Sequence, residues 1–330
     1  MSKKMKFGSF GALAVLLVGV IVYFSITGID AQEVDMSAQQ EKISEYANPE
    51  VFVTAHELKD LMEDESQDVV VIGTMDERGG AIPGSFEVWR PDYSGTESYP
   101  YGGMANTKEE MEDLLSSFGV EEDTTIVTYA ANDQHDSARV FWQLKMMGHE
   151  DVRFLDGGIN VWIGEGFETG DAMEPGDRPE TEYTAPDFNE EAFNASLDTM
   201  IEAADSEDYL VLDTRGLDEE EGNTTLSGAY GPGKIQDSLF IEYSKATAED
   251  GTIKSMDELE ELYGDVIAGD QTVISYCQSG VRSAYTWLVL THAMGYDNAK
   301  NYDGSWIEWS YHAYEDGNQD VIDRTENGDF

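Results

Sequence analysis

Strand patterns alternate with helix-start signals along most of this chain. Short runs rich in branched and aromatic residues are typical of strands that are buried on both faces. The predicted strands cover residues 69–73, 125–129, 209–213 and 272–276. Thr107-Lys-Glu-Glu110 and Ser255-Met-Asp-Glu258 have the spacing of capping boxes, and each predicts the start of a helix. This alternation predicts an α/β fold with a mainly parallel central sheet and helices on both faces.

The pattern occurs twice, and we therefore expect two domains. Leu155-Asp-Gly-Gly-Ile-Asn-Val-Trp162 matches Tyr302-Asp-Gly-Ser-Trp-Ile-Glu-Trp309, at a similar distance from the preceding strand. Residues 169–187 are rich in Glu, Pro and Gly, a composition typical of a linker. We place the first domain at residues 46–172, the linker at 173–187 and the second domain at 188–330.

An uncharged apolar run stands near the N-terminus. It covers residues 7–26, follows a lysine-rich start and is long enough to span a bilayer. A signal peptide has the same order of basic and apolar residues, although its apolar core is usually shorter. We predict a transmembrane anchor or signal peptide at residues 1–31 and a polar tether at 32–45. The two domains are then expected outside the cytoplasm, anchored to the cell membrane through residues 7–26 or secreted.

Acidic residues greatly outnumber basic ones. The chain has 68 Asp and Glu against 19 Lys and Arg, which gives a formal charge of −49. This charge excludes nucleic acids and anionic membrane surfaces as electrostatic partners. The acidic residues are spread along the chain, and 40% of all residues are hydrophobic, which is enough to form cores. Because salt screens the repulsion between like charges, this composition predicts a halophilic protein.

The single cysteine, Cys277, stands where the strand pattern of residues 272–276 gives way to a helix pattern. A thiol in such a turn faces the free N–H groups of a helix N-terminus, which favour its thiolate form. Gly280 permits a positive φ in the turn, and Arg282 adds a cation. These residues predict a nucleophilic thiolate in an anion-binding loop. The alternative for a lone cysteine is a small buried apolar side chain.

The stretch Ser275-Tyr-Cys-Gln-Ser-Gly-Val-Arg-Ser283 resembles the active-site loop of the rhodanese family, Cys-x-x-Gly-x-Arg. Residues 301–309, which contain Asp-Gly-Ser-Trp, resemble the segment that follows this loop in rhodaneses. Val211-Leu-Asp-Thr-Arg215 resembles the strand end that opens a rhodanese domain, and its Asp213 and Arg215 are expected to pack under the loop. Residues 231–239 resemble a further family segment only loosely, since its histidine and the proline after its isoleucine are missing.

The resemblance implies two tandem rhodanese-like domains with different roles. The turn in the first half, within residues 129–139, contains no cysteine and is similar to the non-catalytic N-terminal domain of tandem rhodaneses. The first domain would then be catalytically inactive and form one wall of the site. The second would be the catalytic domain, since it carries Cys277.

The resemblance also implies the reaction, in which a sulfurtransferase moves a sulfane sulfur from thiosulfate to cyanide or a thiol through a persulfide on Cys277. Arg282 would hold the charged end of the donor, and the backbone N–H groups of residues 278–282 would stabilise the sulfur anion. The expected substrate-binding residues are Gln278, Ser279, Gly280, Val281 and Ser283. The neutral start of the loop favours 3-mercaptopyruvate as the alternative donor. Two further alternatives are a carrier that passes the persulfide to a partner protein and a domain that only binds an anion.

No metal ion and no cofactor are expected. The expected partners are a small sulfur donor and acceptor, with membrane association through residues 7–26, and the identity of any protein acceptor is left open. The five histidines are scattered, and none has zinc-ligand spacing with a cysteine. Asp218-Glu-Glu-Glu221 lacks the alternating spacing and the glycine of a calcium loop, so we expect a solvated face. A cysteine phosphatase is disfavoured, because its arginine stands one position further from the cysteine than Arg282 stands from Cys277.

Overall fold

The computed structural model describes residues 34–75, 80–95, 99–131, 134–204, 206–267, 269–318 and 321–323. The predicted anchor or signal peptide, residues 1–31, lies outside these ranges. Within them, none of the helices combines the length and the apolar character that crossing a membrane requires.

The first half of the chain forms a five-stranded parallel sheet with strand order β1-β5-β4-β2-β3. The strands are β1 (Phe52–Val53), β2 (Val69–Thr74), β3 (Phe86–Val88), β4 (Thr125–Ala130) and β5 (Val152–Leu155). The helices are α1 (Met36–Ser44), α2 (Ala55–Glu63), α3 (Lys108–Ser117), α4 (His135–Met146) and α5 (Gly158–Gly164). Single 3-10 turns stand at Pro49–Val51 and Arg90–Asp92.

The second half forms a four-stranded parallel sheet with strand order β10-β9-β6-β8 and an antiparallel pair of β7 and β11. The strands are β6 (Tyr209–Asp213), β7 (Lys234–Ile235), β8 (Leu239–Phe240), β9 (Thr272–Tyr276), β10 (Ala299–Asn301) and β11 (Ile322–Asp323). The helices are α6 (Glu190–Phe193), α7 (Leu197–Ala203), α8 (Leu217–Glu220), α9 (Met256–Tyr263), α10 (Val281–Leu288) and α11 (Ser305–Tyr314). A 3-10 turn stands at Tyr243–Ala246, and a π-helical turn at Val289–Ala293 continues α10.

The predicted α/β fold is confirmed, with two parallel sheets and helices on both faces of each. Both predicted capping boxes are present and begin α3 and α9. At the first of them, the Thr107 N–H donates to Glu110 at 2.9 Å and the Glu110 N–H donates to the Thr107 hydroxyl at 3.2 Å. The sequence signal is accurate here because a capping box lies entirely within four consecutive residues.

Successive residues of the central strands face different cores, since side chains alternate along a strand. In β2, Val70 faces a core that includes residues of both domains, while Val71 faces a core of the first domain alone. In β9, Val273 enters the same shared core and Ile274 enters a core of the second domain alone. Each sheet is therefore buried on both faces, and one face of each points toward the other domain.

The shared core is centred on α4 and α10, the helices that follow the equivalent strands β4 and β9. The rings of Phe141 in α4 and Trp287 in α10 lie 6.3 Å apart. Trp142 and Leu288 are fully buried in the same core. The two domains therefore meet through the helices that begin at the turns after β4 and β9.

Two aspartates of the sequence repeat tie the domains together in reciprocal fashion. Asp156, at the end of β5, accepts the backbone N–H of Ile253 of the second domain at 2.8 Å. Asp303, at the matching position after β10, accepts the backbone N–H of Ala105 of the first domain at 2.9 Å. Both carboxylates are almost completely buried. The domains are therefore joined by polar contacts that obey an approximate twofold relation.

Residues 36–44 form helix α1, although the sequence predicted a polar tether over 32–45. Asp35 caps the helix by accepting the N–H groups of Ser37 and Ala38. The Gln39 amide donates to the Asp156 carbonyl at 3.0 Å, and Lys42 contacts the Thr252 hydroxyl. The prediction differs from the structure because these polar side chains bond to groups at the domain interface, which a local pattern does not show. Residues 173–187 contain no helix and no ladder strand, and the proposed domain boundaries stay a prediction.

His292 gives the interface a dependence on pH. Its ring lies between Phe141 and Trp287, with centroid distances of 5.3 and 5.5 Å, and neither ring nitrogen has a hydrogen-bond partner among the described residues. Burial, with the nearby charge of Lys145, lowers the pKa of His292 from 6.5 to about 4. Above pH 6.5 the ring is neutral in both states and adds no pH dependence. Below pH 6.5, His292 takes up a proton in the unfolded chain but not in the folded protein. The free energy of unfolding therefore falls as the pH is lowered, until the pH reaches the folded pKa.

We expect this histidine to lower the free energy of unfolding by about 2 kcal/mol between pH 8 and pH 5. Urea unfolding of the wild type and of His292→Phe at the two pH values measures the effect. The phenylalanine keeps a ring between Phe141 and Trp287 but cannot take up a proton. Carboxylates that titrate in this range affect both proteins alike. The difference between the two proteins in how the free energy of unfolding changes with pH is therefore due to His292. Equal changes in the two proteins would show that the ring is not buried as described.

Candidate active site

Cys277 follows β9 directly, at the carboxyl end of a central strand of the second sheet. Its side chain is buried, with an exposed fraction of 1%. The loop after it ends at Gly280, which has a φ of 72° and immediately precedes α10. A Cβ atom at this position would lie 2.6 Å from the Arg139 guanidinium and 2.7 Å from the Asp303 carbonyl oxygen. Glycine is therefore required here both for the backbone angle and for the close approach of neighbouring atoms.

Ser305 holds the loop from below. Its hydroxyl accepts the backbone N–H of Cys277 at 3.1 Å and that of Gly280 at 2.9 Å, and it donates to the Tyr302 carbonyl at 2.7 Å. Ser305 itself has a φ of 49°, which is unusual for a residue other than glycine. The Gly280 N–H is therefore directed to Ser305, although the sequence predicted that it would face the sulfur.

The pKa of the Cys277 thiol is lowered by a balance of opposing effects. Burial raises it, because a thiolate is poorly solvated inside the protein. The positive charge of Arg282 and hydrogen bonds from the Ser283 hydroxyl and from the N–H groups of Ser283 and Ser279 outweigh burial. The Ser283 hydroxyl lies 3.5 Å from Sγ and 2.6 Å from Asn301 Oδ1, so these two acceptors share its single proton. The surroundings therefore favour a thiolate.

Arg282 is bound at both ends of its fork by Glu219. The distances are 2.6 Å from Nη1 to Oε2 and 2.9 Å from Nη2 to Oε1. The Glu219 side chain is 9% exposed and that of Arg282 is 17% exposed. Glu219 belongs to the acidic run 218–221, which the sequence predicted to be a solvated face. That prediction is wrong for Glu219, because its partner stands far along the chain.

A second arginine–carboxylate pair lies under the loop. Arg215 donates to Asp213 at 2.9 Å through Nε and at 2.6 Å through Nη2, and the Tyr276 hydroxyl donates to Asp213 at 2.6 Å. The Arg215 guanidinium also lies 4.8 Å from the centroid of the Trp306 ring. These groups are buried and bonded to one another, so they support the end of β9. Their position agrees with the supporting role inferred for Asp213 and Arg215.

The first domain reaches the loop through Arg139 of α4. The Arg139 guanidinium donates to the carbonyl oxygens of Gly280 and Gly103, each at 3.3 Å, and forms an ion pair with Asp303. Its exposed fraction is 1%. Asn301 donates to the same Gly280 carbonyl at 2.9 Å. A side chain of the first domain therefore fixes the backbone of the loop that carries Cys277.

The segment around Gly103 covers the outer side of the loop. A Cβ atom at Gly103 would lie 3.0 Å from the Ser279 Cβ. The Tyr101 hydroxyl donates to Glu308, and the Tyr230 hydroxyl donates to the Pro100 carbonyl at 2.8 Å. Residues of both domains therefore pack around the loop.

The predicted site residues all belong to this loop or to the first turn of α10, but their side chains have different surroundings. Gln278 is mostly buried and donates from Nε2 to the Ser227 carbonyl at 3.3 Å. Val281 is buried and Ser279 is partly exposed. Of the first-domain turn within residues 129–139, positions 132 and 133 lie outside the described residues. In the described part of the chain, no group of three or more His, Cys, Asp or Glu side chains is arranged to hold a metal ion.

Sequence reasoning missed three residues that shape the site: Glu219, Ser305 and Arg139. Each acts on the loop across a long stretch of chain, from 25 residues for the bond between Ser305 and Gly280 to 141 for that between Arg139 and Gly280. The match between the segments 155–162 and 302–309 includes Ser305, but it served only to infer a repeat.

The family model described as a rhodanese-like domain matches the chain twice, at residues 54–165 and at residues 195–312. The second match contains Cys277 and Arg282, and the two matches together cover more than half of the chain.

Several named proteins are similar over most of the chain. A Haloferax volcanii protein named "Putative thiosulfate sulfurtransferase" is 38% identical over 209 residues, which cover 62% of this chain and 72% of the relative. A Saccharopolyspora erythraea protein of the same name is 35% identical over 258 residues, which cover 73% of this chain and 88% of the relative. The sulfur carrier protein TtuD of Thermus thermophilus is 32% identical over 283 residues, which cover 80% of this chain and 95% of the relative.

Solved structures show the same fold at lower identity. The Tum1 protein from Saccharomyces cerevisiae superposes with a TM-score of 0.72 at 22% identity, covering 83% of this chain and 98% of its own. YnjE superposes with a TM-score of 0.71 at 23% identity, covering 86% of this chain and 70% of its own. At these identities the similarity concerns the fold alone.

Proposed function

The chain belongs to the rhodanese family, and we propose that it moves the sulfane sulfur of thiosulfate to a thiophilic acceptor through a persulfide on Cys277. The relatives at 32–38% identity support a sulfurtransferase in general. One observation carries the finer proposal. Cys277 is a buried thiol whose pKa lies below its usual range because Arg282, the Ser283 hydroxyl and two backbone N–H groups favour the thiolate over the cost of burial.

In the first half of the reaction, the Cys277 thiolate attacks the outer sulfur of thiosulfate. A bond forms between the two sulfur atoms, the sulfur–sulfur bond of thiosulfate breaks, and sulfite leaves with the electron pair of that bond. The N–H groups of Ser279 and Ser283 point at Sγ and offset the negative charge there. No proton and no external oxidant is needed, because the thiolate carries the electron pair that forms the new bond.

In the second half, the acceptor attacks the outer sulfur of the persulfide. Cyanide takes this sulfur as thiocyanate, whereas a thiolate takes it as a new persulfide. In both cases the bond between the two sulfur atoms on Cys277 breaks and its electron pair returns to Sγ, which regenerates the thiolate. Dividing the transfer between two displacements lets one covalent intermediate serve different donors and acceptors.

A second candidate function is favoured by the pairing of Arg282 with Glu219. Because the carboxylate offsets the charge of the guanidinium, the loop offers less attraction to a dianion than an unpaired arginine would. A donor of lower charge, such as 3-mercaptopyruvate, or a persulfide supplied by another protein suits such a loop. The protein would then be a mercaptopyruvate sulfurtransferase or a persulfide carrier.

Rates with the two donors, measured at molar salt with cyanide as the acceptor, test the proposal. We expect steady thiocyanate production from thiosulfate and a higher kcat/KM for thiosulfate than for 3-mercaptopyruvate. The reverse order would identify the mercaptopyruvate enzyme. Loading of Cys277 without turnover, observed by mass spectrometry as one added sulfur, would identify the carrier.

We also propose that the protein is adapted to high salt, because its formal charge of −49 is spread along a chain that folds. At about 0.1 M salt, screening acts only over distances beyond about 10 Å, so much of the repulsion between neighbouring carboxylates persists. We therefore expect the Tm to keep rising from low salt into the molar range. A Tm that reaches its plateau by about 0.1 M would refute halophilic adaptation and leave only ordinary screening.

The location of the protein is proposed from the sequence alone. The uncharged run at residues 7–26 supports an extracytoplasmic protein that is anchored to the cell membrane or secreted. Fractionation of the producing cells tests this. The full-length chain should remain with the membranes after a carbonate wash, or appear in the medium with residues 1–31 removed. Recovery of the uncleaved chain in the cytoplasmic fraction would refute the proposal.

A further inference from the structure

We infer that Glu219 is the counter-ion of the active-site loop: it positions Arg282 and offsets its charge, so that an anionic donor and an anionic product exchange at the site rather than stay bound. This inference rests on the proposed function, since it concerns the binding of thiosulfate and the release of sulfite. It gives a specific role to a residue that the sequence placed in a solvated acidic run.

The contacts of Glu219 hold its carboxylate in one orientation. Both oxygens accept from Arg282, at 2.6 and 2.9 Å, and Oε2 also accepts the backbone N–H of Gly216 at 3.2 Å. The ring of Tyr243 lies 6.0 Å from the Arg282 guanidinium on another side. A two-point pair of this kind fixes the plane of the guanidinium as well as its position. Arg282 is therefore aimed by Glu219 and is not free to turn toward a ligand with its whole fork.

The charges around the loop also support a role for Glu219 as a counter-ion. In the part of the chain that the structure describes, three arginines lie near it, and each is paired with a carboxylate: Arg282 with Glu219, Arg215 with Asp213, and Arg139 with Asp303. The formal charge of each pair is zero. An anion at the loop is therefore bound mainly by N–H groups and by the exposed edge of one guanidinium, and it is repelled by the nearby carboxylate.

This balance of charge affects the first half-reaction because both its donor and its product are anions. Thiosulfate must enter and sulfite must leave through the same loop. An uncompensated arginine in a buried site would bind both more tightly, which lowers KM but slows product release and therefore lowers kcat. Because Glu219 is paired with Arg282, its negative charge weakens the stabilisation that Arg282 gives the Cys277 thiolate.

The test compares Glu219→Gln with Glu220→Gln in the full-length protein. The two glutamates are neighbours in α8, and each forms one ion pair, but Glu220 binds Lys234 at 2.7 Å and has no bond to Arg282. Both variants therefore lose one negative charge from the same helix. Only the first leaves Arg282 without its counter-charge.

The first measurement is the rate of Cys277 alkylation by iodoacetamide as a function of pH, at molar salt. Since Cys277 is the single cysteine, the reaction reports one site. We expect the midpoint to fall by up to about one pH unit in Glu219→Gln and to stay in place in Glu220→Gln. Glu219→Asp, which retains the charge, should lie between the wild type and Glu219→Gln. An unchanged midpoint in Glu219→Gln overturns the inference.

The second measurement is the steady-state rate with thiosulfate. In Glu219→Gln we expect both KM and kcat to fall, each by about 3- to 10-fold, so that kcat/KM changes little, because ground-state binding has been strengthened. A raised KM would show instead that Glu219 serves only to hold the fold. If Glu219→Gln does not fold, Glu219→Asp decides, with smaller changes expected in the same directions.

The two measurements separate failure of this inference from failure of the proposed function. A wild type that does not turn over thiosulfate refutes the proposed function. The alkylation profile needs no sulfur donor, and it still shows whether Glu219 sets the charge at the loop. A shifted profile without thiosulfate turnover would keep Glu219 as the counter-ion and refute its role in thiosulfate exchange.

Discussion

Replacing Cys277 with serine should abolish sulfur transfer while both domains remain folded. The hydroxyl is close in size to the thiol and can accept the N–H groups of Ser279 and Ser283, so the buried position stays filled and bonded. It cannot replace the thiolate as a nucleophile, because a serine hydroxyl is a far weaker acid than a thiol whose pKa is lowered by its surroundings. We therefore expect thiocyanate production at the uncatalysed rate and a Tm within a few degrees of the wild type.

Mass spectrometry of the protein after incubation with thiosulfate completes this test. The wild type should gain one sulfur atom, and the Cys277→Ser protein should gain none. Wild-type protein alkylated at its single cysteine is a matched control, since it keeps every other residue. Substantial activity in Cys277→Ser would show that the sulfur passes through another group, and the proposed persulfide mechanism would be wrong.

Replacing Arg139 with methionine should impair both stability and catalysis, although Arg139 lies in the domain without a cysteine. The substitution leaves the Asp303 carboxylate buried without its cation, which costs about 3–5 kcal/mol of unfolding free energy. It also removes a donor from the Gly280 carbonyl, which loosens the loop that holds Cys277. Because small displacements of reacting groups are costly, kcat/KM should fall by about 10- to 100-fold.

Two further variants separate these effects. Arg139→Met combined with Asp303→Asn removes both buried charges, so it should regain part of the stability but little of the activity. Arg153→Met removes an ion pair with Asp151 that is partly exposed in the same domain, and it should cost less than about 1 kcal/mol and leave activity unchanged. Wild-type kcat/KM in Arg139→Met would mean that the second domain builds the site alone.

The parts of the fold that could be predicted from the sequence are those that depend on neighbouring residues. Strands β2, β4, β6 and β9 were found within one residue of their ends, because each is a run of branched and aromatic residues. The turn at Cys277 was found because a strand, a glycine and a helix follow one another directly. Helix α1 was missed, since its polar residues have their partners at Asp156 and Thr252, far along the chain.

The site was predicted only in part, for the same physical reason. Arg282 stands five positions after Cys277, so the conformation of one short loop brings the two residues together. The pairing of Arg282 with Glu219 depends instead on how β6 and β9 lie side by side in the sheet. The support from Arg139 depends on how α4 and α10 pack between the domains. Such contacts are decided by the assembled structure, and no pattern within one segment contains them.

The core shared by α4 and α10 makes the two domains one thermodynamic unit. Separating them would expose Trp142, Trp287 and Leu288 to water together with the buried ion pair of Arg139 and Asp303. Neither half can therefore unfold without destabilising the other. Calorimetry should record a single heat-absorption peak for the whole chain. The half without a cysteine thus contributes to the stability of the whole chain, because the cooperativity of unfolding is shared between the repeat that carries Cys277 and the repeat that carries no cysteine.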